Sequence, residues 1–255
     1  MDLRLKGKVA LVAGGARGCG LGIAKELAAE GVRVVLTGRQ PERVEAAARS
    51  IVQSGGEANG FVGSMDTESG AKQMVAHARE AYGDPDILIF NPPSPRQVSG
   101  FDEILNSDFD DAYAKFNLAL VHLLREVIPS MKAKRWGRIV NISSIVKTPH
   151  LQIPMYHHNI RVGSVAITKT LSYEYAAHGI TANSIAVGAF SSELADEYLA
   201  KNGFTVKDVE NATPMHRFGR PDEMAAVVTF LCSERASFVS GETIRIDGGA
   251  SLSLF

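Results

Sequence analysis

Short runs of aliphatic and β-branched residues alternate along this chain with longer stretches in which apolar positions recur every three to four residues. The run KVALVAG (Lys8–Gly14) predicts a strand. LGIAKELAAEG (Leu21–Gly31) predicts a helix that its terminal glycine stops. RVVLTG predicts a second strand, and PERVEAAARSIVQSGG a helix opened by Pro41 and closed by Gly55 and Gly56. Next come the strand ANGFVGS, the helix ESGAKQMVAHAREAYG and the strand DILIFN. A long helix around DDAYAKFNLALVHLLREVIPSMKAK precedes the strand GRIVNIS, and a helix around HNIRVGSVAITKTLSYEYAAHG precedes ITANSIA. The helix PDEMAAVVTFLCSE and the strand ETIRID complete the pattern. Strands apolar on both faces and separated by helices predict an α/β fold, a parallel sheet covered on both sides. No linker-like stretch interrupts the alternation, so residues 1–255 are expected to form a single doubly wound domain with right-handed crossovers.

Composition narrows the partners more than the fold. The 255 residues are 45% hydrophobic and 22% charged, with a formal net charge of -1. No basic run or aromatic–basic stripe points to nucleic acid, so the expected partner is a small molecule. The opening MDLRLKGKVALVAGG is not expected to act as a signal peptide, because its short apolar run falls into glycines with no small-residue cleavage site. No apolar run has the length of a membrane span. Cys19 and Cys232 form neither a disulfide framework nor a metal pattern, and a cytoplasmic location is expected.

The first chemical signal is AGGARGCG (Ala13–Gly20), which lies between the first strand and the first helix. Gly14, Gly18 and Gly20 allow a tight turn and let backbone N–H groups approach a diphosphate at the helix N-terminus. The end of the second strand selects the dinucleotide. An acid there would bind the adenosine ribose, but the chain has Gly38 followed by Arg39, with Arg17 in the glycine loop nearby. Two guanidinium groups and no acid suit a 2′-phosphate, so NADP(H) is the expected cofactor. Asp66, after the third strand, is placed to reach the adenine amino group.

Over essentially its full length the chain resembles the short-chain dehydrogenase/reductase family, and in particular the 3-oxoacyl-carrier-protein reductases. The resemblance rests on Gly14-xxx-Gly18-x-Gly20, on FNLALVHLLREVIPSMKAKRWGRIVNISS, and on HRFGRPDEMAAVVTFLCSERASFVSGETIRIDGG. It implies a Rossmann-type fold, direct hydride transfer between nicotinamide and a carbonyl or secondary alcohol, and a homotetramer or homodimer. It also implies four active-site roles: a tyrosine acid, a lysine four residues later that holds the nicotinamide ribose, a serine that bonds the reacting oxygen, and an asparagine that holds a relay water. Asn117 and Ser144 match the last two. Asn91 remains from the family's Asn-Asn-Ala-Gly, followed here by Pro92 and Pro93. Val187 and Gly188 stand for the family's Pro-Gly, and Ser192 for the threonine that contacts the carboxamide.

The tyrosine–lysine pair is altered. Counting back from TKTLSYE, and forward thirteen residues from Ser144, the tyrosine position falls on His157 and the lysine position on Arg161, with Tyr156 one residue early. Three readings stay open. His157 and Arg161 can replace the pair, since i, i+4 spacing puts both on one helix face and imidazole can serve as acid or base. Tyr156 can remain the acid if an irregular turn brings it into line with Arg161. Or proton transfer is lost, and the chain is a silent NADP(H)-binding sensor, scaffold or partner subunit. His158 reads as a surface or rim histidine.

Substrate selection is expected from the loops Pro93–Gln97, Val146–Pro154 and Ser191–Thr213, the last a helical segment suited to a lid at about 190–213. Ile145, Val146, Pro149, Leu151, Phe190 and Met215 supply apolar lining, and Lys147, His150 and His216 could meet an anion.

Overall fold

A computed structural model describes residues 2–93, 101–144 and 155–252. Among them seven strands form one parallel sheet: β1 (Val9–Ala13), β2 (Arg33–Gly38), β3 (Glu57–Val62), β4 (Ile87–Phe90), β5 (Gly137–Ile142), β6 (Ile180–Val187) and β7 (Thr243–Ile246). Their order across the sheet is β3-β2-β1-β4-β5-β6-β7. The order reverses between β1 and β4, which opens a crevice at the carboxyl ends of those two strands. This is the doubly wound, Rossmann-type arrangement that the alternation of apolar runs predicts.

Why the strands are apolar on both faces is visible in β1. Ala10 and Val12 point into one core and Leu11 and Ala13 into the other, all fully buried. The helices divide accordingly. α1 (Gly18–Ala29), α2 (Pro41–Gln53) and α9 (Pro221–Cys232) cover the first face. α3 (Glu68–Tyr82), α5 (Ala119–Lys134) and α6 (Met155–Glu174) cover the second. On α5 the buried positions Leu120, Leu123, Leu124, Val127 and Met131 follow the helical period. Each such side chain contributes about 1.5–3 kcal/mol by leaving water. Cys19 and Cys232 are free thiols packed against the first core, and burial raises them to about 11 and about 12 respectively.

Three boundaries differ from the periodicity reading. α1 begins at Gly18 rather than Leu21, so two of the loop glycines lie in its first turn. The long helix starts earlier, as α4 (Asn106–Tyr113), and passes through a π-turn (Ala114–Leu118) before α5. The segment between β6 and α9 carries two helices, α7 (Glu193–Asn202) and α8 (Val206–Ala212).

The segment after α8 is tied down by charge. Arg217 grips Glu223 with two bonds of 2.7 and 2.8 Å, while the same carboxylate accepts from the Arg220 N–H at 2.8 Å and so caps α9. The hydrogen bond from Arg217 is the main reason that the Glu223 carboxyl sits at about 2 instead of 4.5. A carboxyl lowered on folding stabilises the native state above its unfolded value, and that contribution fades as pH falls from about 4.5 toward about 2. Glu223→Gln is therefore expected to melt at a lower temperature than the parent at neutral pH, with the gap closing across that acid window. Thermal unfolding followed by circular dichroism over a pH series checks this; a gap of constant size would show that the cap acts without its charge.

Candidate active site

The glycine loop is shaped by close backbone approach. β1 and β4 pair Ala13 with Phe90, which brings Gly14 beside Asn91 just past both strand ends. A Cβ on Gly14 would lie 2.1 Å from the Asn91 carbonyl oxygen, and one on Gly20 would lie 2.1 Å from the Gly14 carbonyl oxygen. Asn91 Nδ2 donates to that Gly14 carbonyl at 2.9 Å and so ties the β4 end to the loop. Gly18 has φ +54, and a Cβ there would meet only the Ser192 Cβ, at 3.5 Å. Arg17 occupies the N-cap of α1 in extended conformation, and no side chain caps the helix. The first turn of α1 thus keeps N–H groups for an anion, the arrangement that a diphosphate needs.

The end of β2, where the adenosine is expected, is equally tight. A Cβ on Gly38 would lie 2.9 Å from both the Ala16 Cβ and the Val44 Cγ2, so a ribose-binding carboxylate has no room there. Arg39 is exposed and Arg17 half-buried, and neither guanidinium forms an ion pair among the described residues. By contrast Arg43, one turn into α2, pairs with Glu193 at 2.9 Å. Asp66 is half-buried beyond β3, with its N–H 3.4 Å from the Ser64 Oγ.

At the other end of the crevice, β5 and β6 lead into Ser144 and Gly188. The Ser143 N–H donates to the Ile185 carbonyl at 2.8 Å, and Ser144 Oγ donates to the Val187 carbonyl at 3.4 Å. Gly188 follows, where a Cβ would stand 2.6 Å from the Asp247 Cα. Ser192 caps α7, accepting from the Ala195 N–H at 3.1 Å; its own hydroxyl proton is left to donate.

α6 packs against the π-turn. Asn117 is buried, and its Oδ1 has no hydrogen-bond partner among the described residues. Such an orphaned acceptor costs about 1–3 kcal/mol unless a water or ligand group meets it. Gly163 on α6 makes room for the Asn117 amide, since a Cβ would lie 2.7 Å from its Nδ2. His157 is buried at 4% exposure and Ile160 at 3%, while His158 is half-buried. Arg161 is half-buried, with its Cζ 4.8 Å from the centroid of the Phe116 ring. Desolvation lowers its guanidinium to about 10, still cationic at neutral pH. α6 is α-helical throughout Met155–Glu174, so the irregular turn that would align Tyr156 with Arg161 is not in this helix; the π-turn lies in the neighbouring one. The Tyr156 side chain, all of Pro93–Gln97 but Pro93, the expected lining residue Ile145 and the whole Val146–Pro154 loop, with Lys147, Pro149, His150 and Leu151, lie outside the described residues.

Some members of this cluster go unnoticed in the sequence reading. Asn141 is fully buried on β5, donating to Ser164 Oγ at 3.2 Å and to Ser184 Oγ at 3.4 Å. Ser164 in turn donates to the Arg161 carbonyl at 2.9 Å. An asparagine inside the apolar strand GRIVNI carries the same signal of cost as Asn117 in KFNLAL. Phe116 gives no such signal, since an aromatic in a helix looks like ordinary core.

Comparison with known proteins agrees with this fold. The family model described as enoyl-(acyl carrier protein) reductase matches residues 14–251. The chain is 33% identical to the 3-oxoacyl-[acyl-carrier-protein] reductase FabG of Aquifex aeolicus, over 98% of this chain and 99% of that one. It is 32% identical to the D-beta-hydroxybutyrate dehydrogenase of Cupriavidus necator, over 96% of this chain and 98% of the relative. The L-sorbose reductase of Gluconobacter frateurii, solved with NADPH and L-sorbose, superposes with a TM-score of 0.92 over 100% of both chains at 30% identity. With a matching fold, a glycine cradle at the crevice and full-length likeness to these enzymes, the chain belongs to the short-chain dehydrogenase/reductase family of oxidoreductases.

Proposed function

We propose that the protein is an NADP(H)-dependent ketone reductase, or reversible alcohol dehydrogenase, in which a histidine and an arginine stand for the usual tyrosine and lysine. The observation that carries the reading is the order of groups along one sheet edge. Free guanidinium groups and an acid-excluding glycine lie at β2, an uncapped helix start at β1, and Asn117, Ser144, His157 and Arg161 around β5, β6 and the helices beside them. That order suits a dinucleotide laid from 2′-phosphate to nicotinamide. The sorbose reductase, crystallised with NADPH, supports the choice of cofactor.

NADPH, when bound, supplies a hydride to the substrate carbon. The chain's own residues then manage charge and protons. Gly14, Gly18 and Gly20 receive the diphosphate, Arg17 and Arg39 the 2′-phosphate, and Asp66 the adenine amino group. Asn91, Val187, Gly188 and Ser192 shape the nicotinamide end. Ser144 Oγ turns its proton from the Val187 carbonyl, 3.4 Å away, to the substrate carbonyl oxygen, and His157 delivers a proton from its imidazole to the same oxygen. Arg161 holds the nicotinamide ribose, and its charge favours proton release from His157. Asn117 Oδ1 takes the water that resupplies the proton. Neighbouring positions on a regular α-helix lie about 100° apart, and the i, i+4 spacing of His157 and Arg161 on α6 favours the histidine.

Residues of about 190–213 form the substrate lid. Phe190, buried and bridged to Gly219, anchors one end. We assign a homotetramer or homodimer, with the exposed Leu105, Tyr113, Leu118 and Val162 on and around α4, the π-turn and α6, and Phe230, Phe238 and Leu252 on α9 and the segments flanking β7, as the apolar surface to be covered. The assigned compartment is the cytoplasm; among the described residues no helix is long and apolar enough to cross a membrane.

The test is NADPH consumption on a panel of cyclic ketones and keto-thioesters, followed by loss of reduced-nicotinamide absorbance. Turnover with NADPH in preference to NADH is the expected outcome. Tight NADPH binding by calorimetry with no turnover on any member would assign the chain to silent dinucleotide binders instead.

A further inference from the structure

Around the π-turn lies a small third core, apart from the two that flank the sheet. It consists of buried Ala112, Phe116 and Ile160, with Ile104 and Phe109 partly buried against it. Phe116 is its centre, 1% exposed, and it is the residue immediately before Asn117. The face of its ring is also the surface on which the Arg161 guanidinium rests, at 4.8 Å from Cζ to centroid.

We propose that Phe116 is a positioning residue for Arg161: its ring is the platform that fixes a guanidinium where the family uses an ammonium. This rests on the reading of Arg161 as the ribose-holding cation. The physical case has three parts. A guanidinium is planar, delocalised and weakly hydrated, so it can lie flat on an aromatic face; an ammonium is a compact, strongly hydrated charge that gains less from that face. The site also needs such support, because Arg161 has no ion pair among the described residues and its charge is desolvated. Finally, the backbone of Arg161 is tied to β5, its carbonyl accepting from Ser164 Oγ, which accepts in turn from Asn141 on β5. Main chain and side chain are thus fixed from two independent elements, and the long arginine stem is left with little freedom. The π-turn sets Asn117 and the Phe116 platform side by side against α6. A loss of the ring would release the cation without touching the asparagine.

A double-mutant cycle on NADPH affinity, measured by calorimetry, tests this. Phe116→Leu keeps apolar volume but removes the ring face. It is expected to weaken NADPH binding on the order of tenfold, the scale of one desolvated cation–π contact. In an Arg161→Lys background the same change is expected to cost less than about twofold, because the ammonium does not depend on the platform. Phe116→Tyr restores the face and is expected to bind within about twofold of the parent. Phe116→Met serves in place of leucine if the latter fails to fold, and melting temperatures are recorded for every variant. Equal losses in the arginine and lysine backgrounds overturn the platform and leave Phe116 as ordinary core. An Arg161→Ala variant whose NADPH affinity is unchanged overturns instead the assignment of Arg161 to the cofactor, and the platform with it.

Discussion

His157→Phe is expected to lower kcat for ketone reduction by about 10²–10⁴-fold, the usual contribution of a positioned general acid, and to leave NADPH affinity within about twofold. The substitution fits the site: His157 is buried at 4% exposure, so a ring of similar size keeps α6 packed while removing the exchangeable proton. Steady-state rates and calorimetric NADPH affinity, taken together, read the effect. Binding is spared because the contacts assigned to the cofactor come from the glycine loop, from Arg17 and Arg39, and from Arg161, none of which the substitution touches. Tyr156→Phe measured alongside decides between the neighbours. If the phenol delivers the proton, the ranking reverses and the histidine variant keeps its rate.

Arg39→Asp carries the second large effect. NADPH affinity is expected to fall about 10²-fold, because a charge-assisted contact worth about 1.5–3 kcal/mol is lost and a carboxylate is placed against the 2′-phosphate. NADH, which lacks that phosphate, is expected to gain, since the new carboxylate can accept from its free ribose hydroxyls. The aspartate has space at position 39, which is exposed, whereas position 38 is closed by Ala16 and Val44. Competitive titration of both dinucleotides reads the ratio. An unchanged preference would place the phosphate elsewhere, with Arg43 as the next cation to examine after its pair with Glu193 is broken.

Most of this architecture is legible along the chain because two-sided burial leaves a strong trace. β1 and β4 are apolar at every position, and only a sheet covered on both faces requires that. The glycine loop is legible for a different reason: strand, glycines and helix occur in the one order in which backbone can approach a diphosphate. The register proposed for His157 and Arg161 comes from counting along α6, which is regular between His157 and Thr168. The π-turn is not legible. KFNLAL fits an α-helix as well as a π-turn, and apolar spacing does not register one inserted residue. The stack of Arg161 on Phe116 was hidden likewise, because residues far apart in sequence meet only after α6 has folded against that turn. Asn141 was readable by cost but unassigned, since its partners Ser164 and Ser184 belong to two other elements.

The π-turn also separates two duties that one helix would otherwise have to reconcile. A single added residue advances the helical phase by about 100°. Up to and within it, Ala112 and Phe116 pack with Ile160 of α6; after it, Leu120, Leu123 and Val127 pack with the sheet. The rod therefore works as two tools on one shaft. Its far half can exchange one aliphatic side chain for another to tune stability while its near half keeps the angle at which asparagine and platform are presented. The change of partner from α6 to the sheet therefore falls at Ala114–Leu118, and a substitution on the sheet side is expected to leave the α6 side in place.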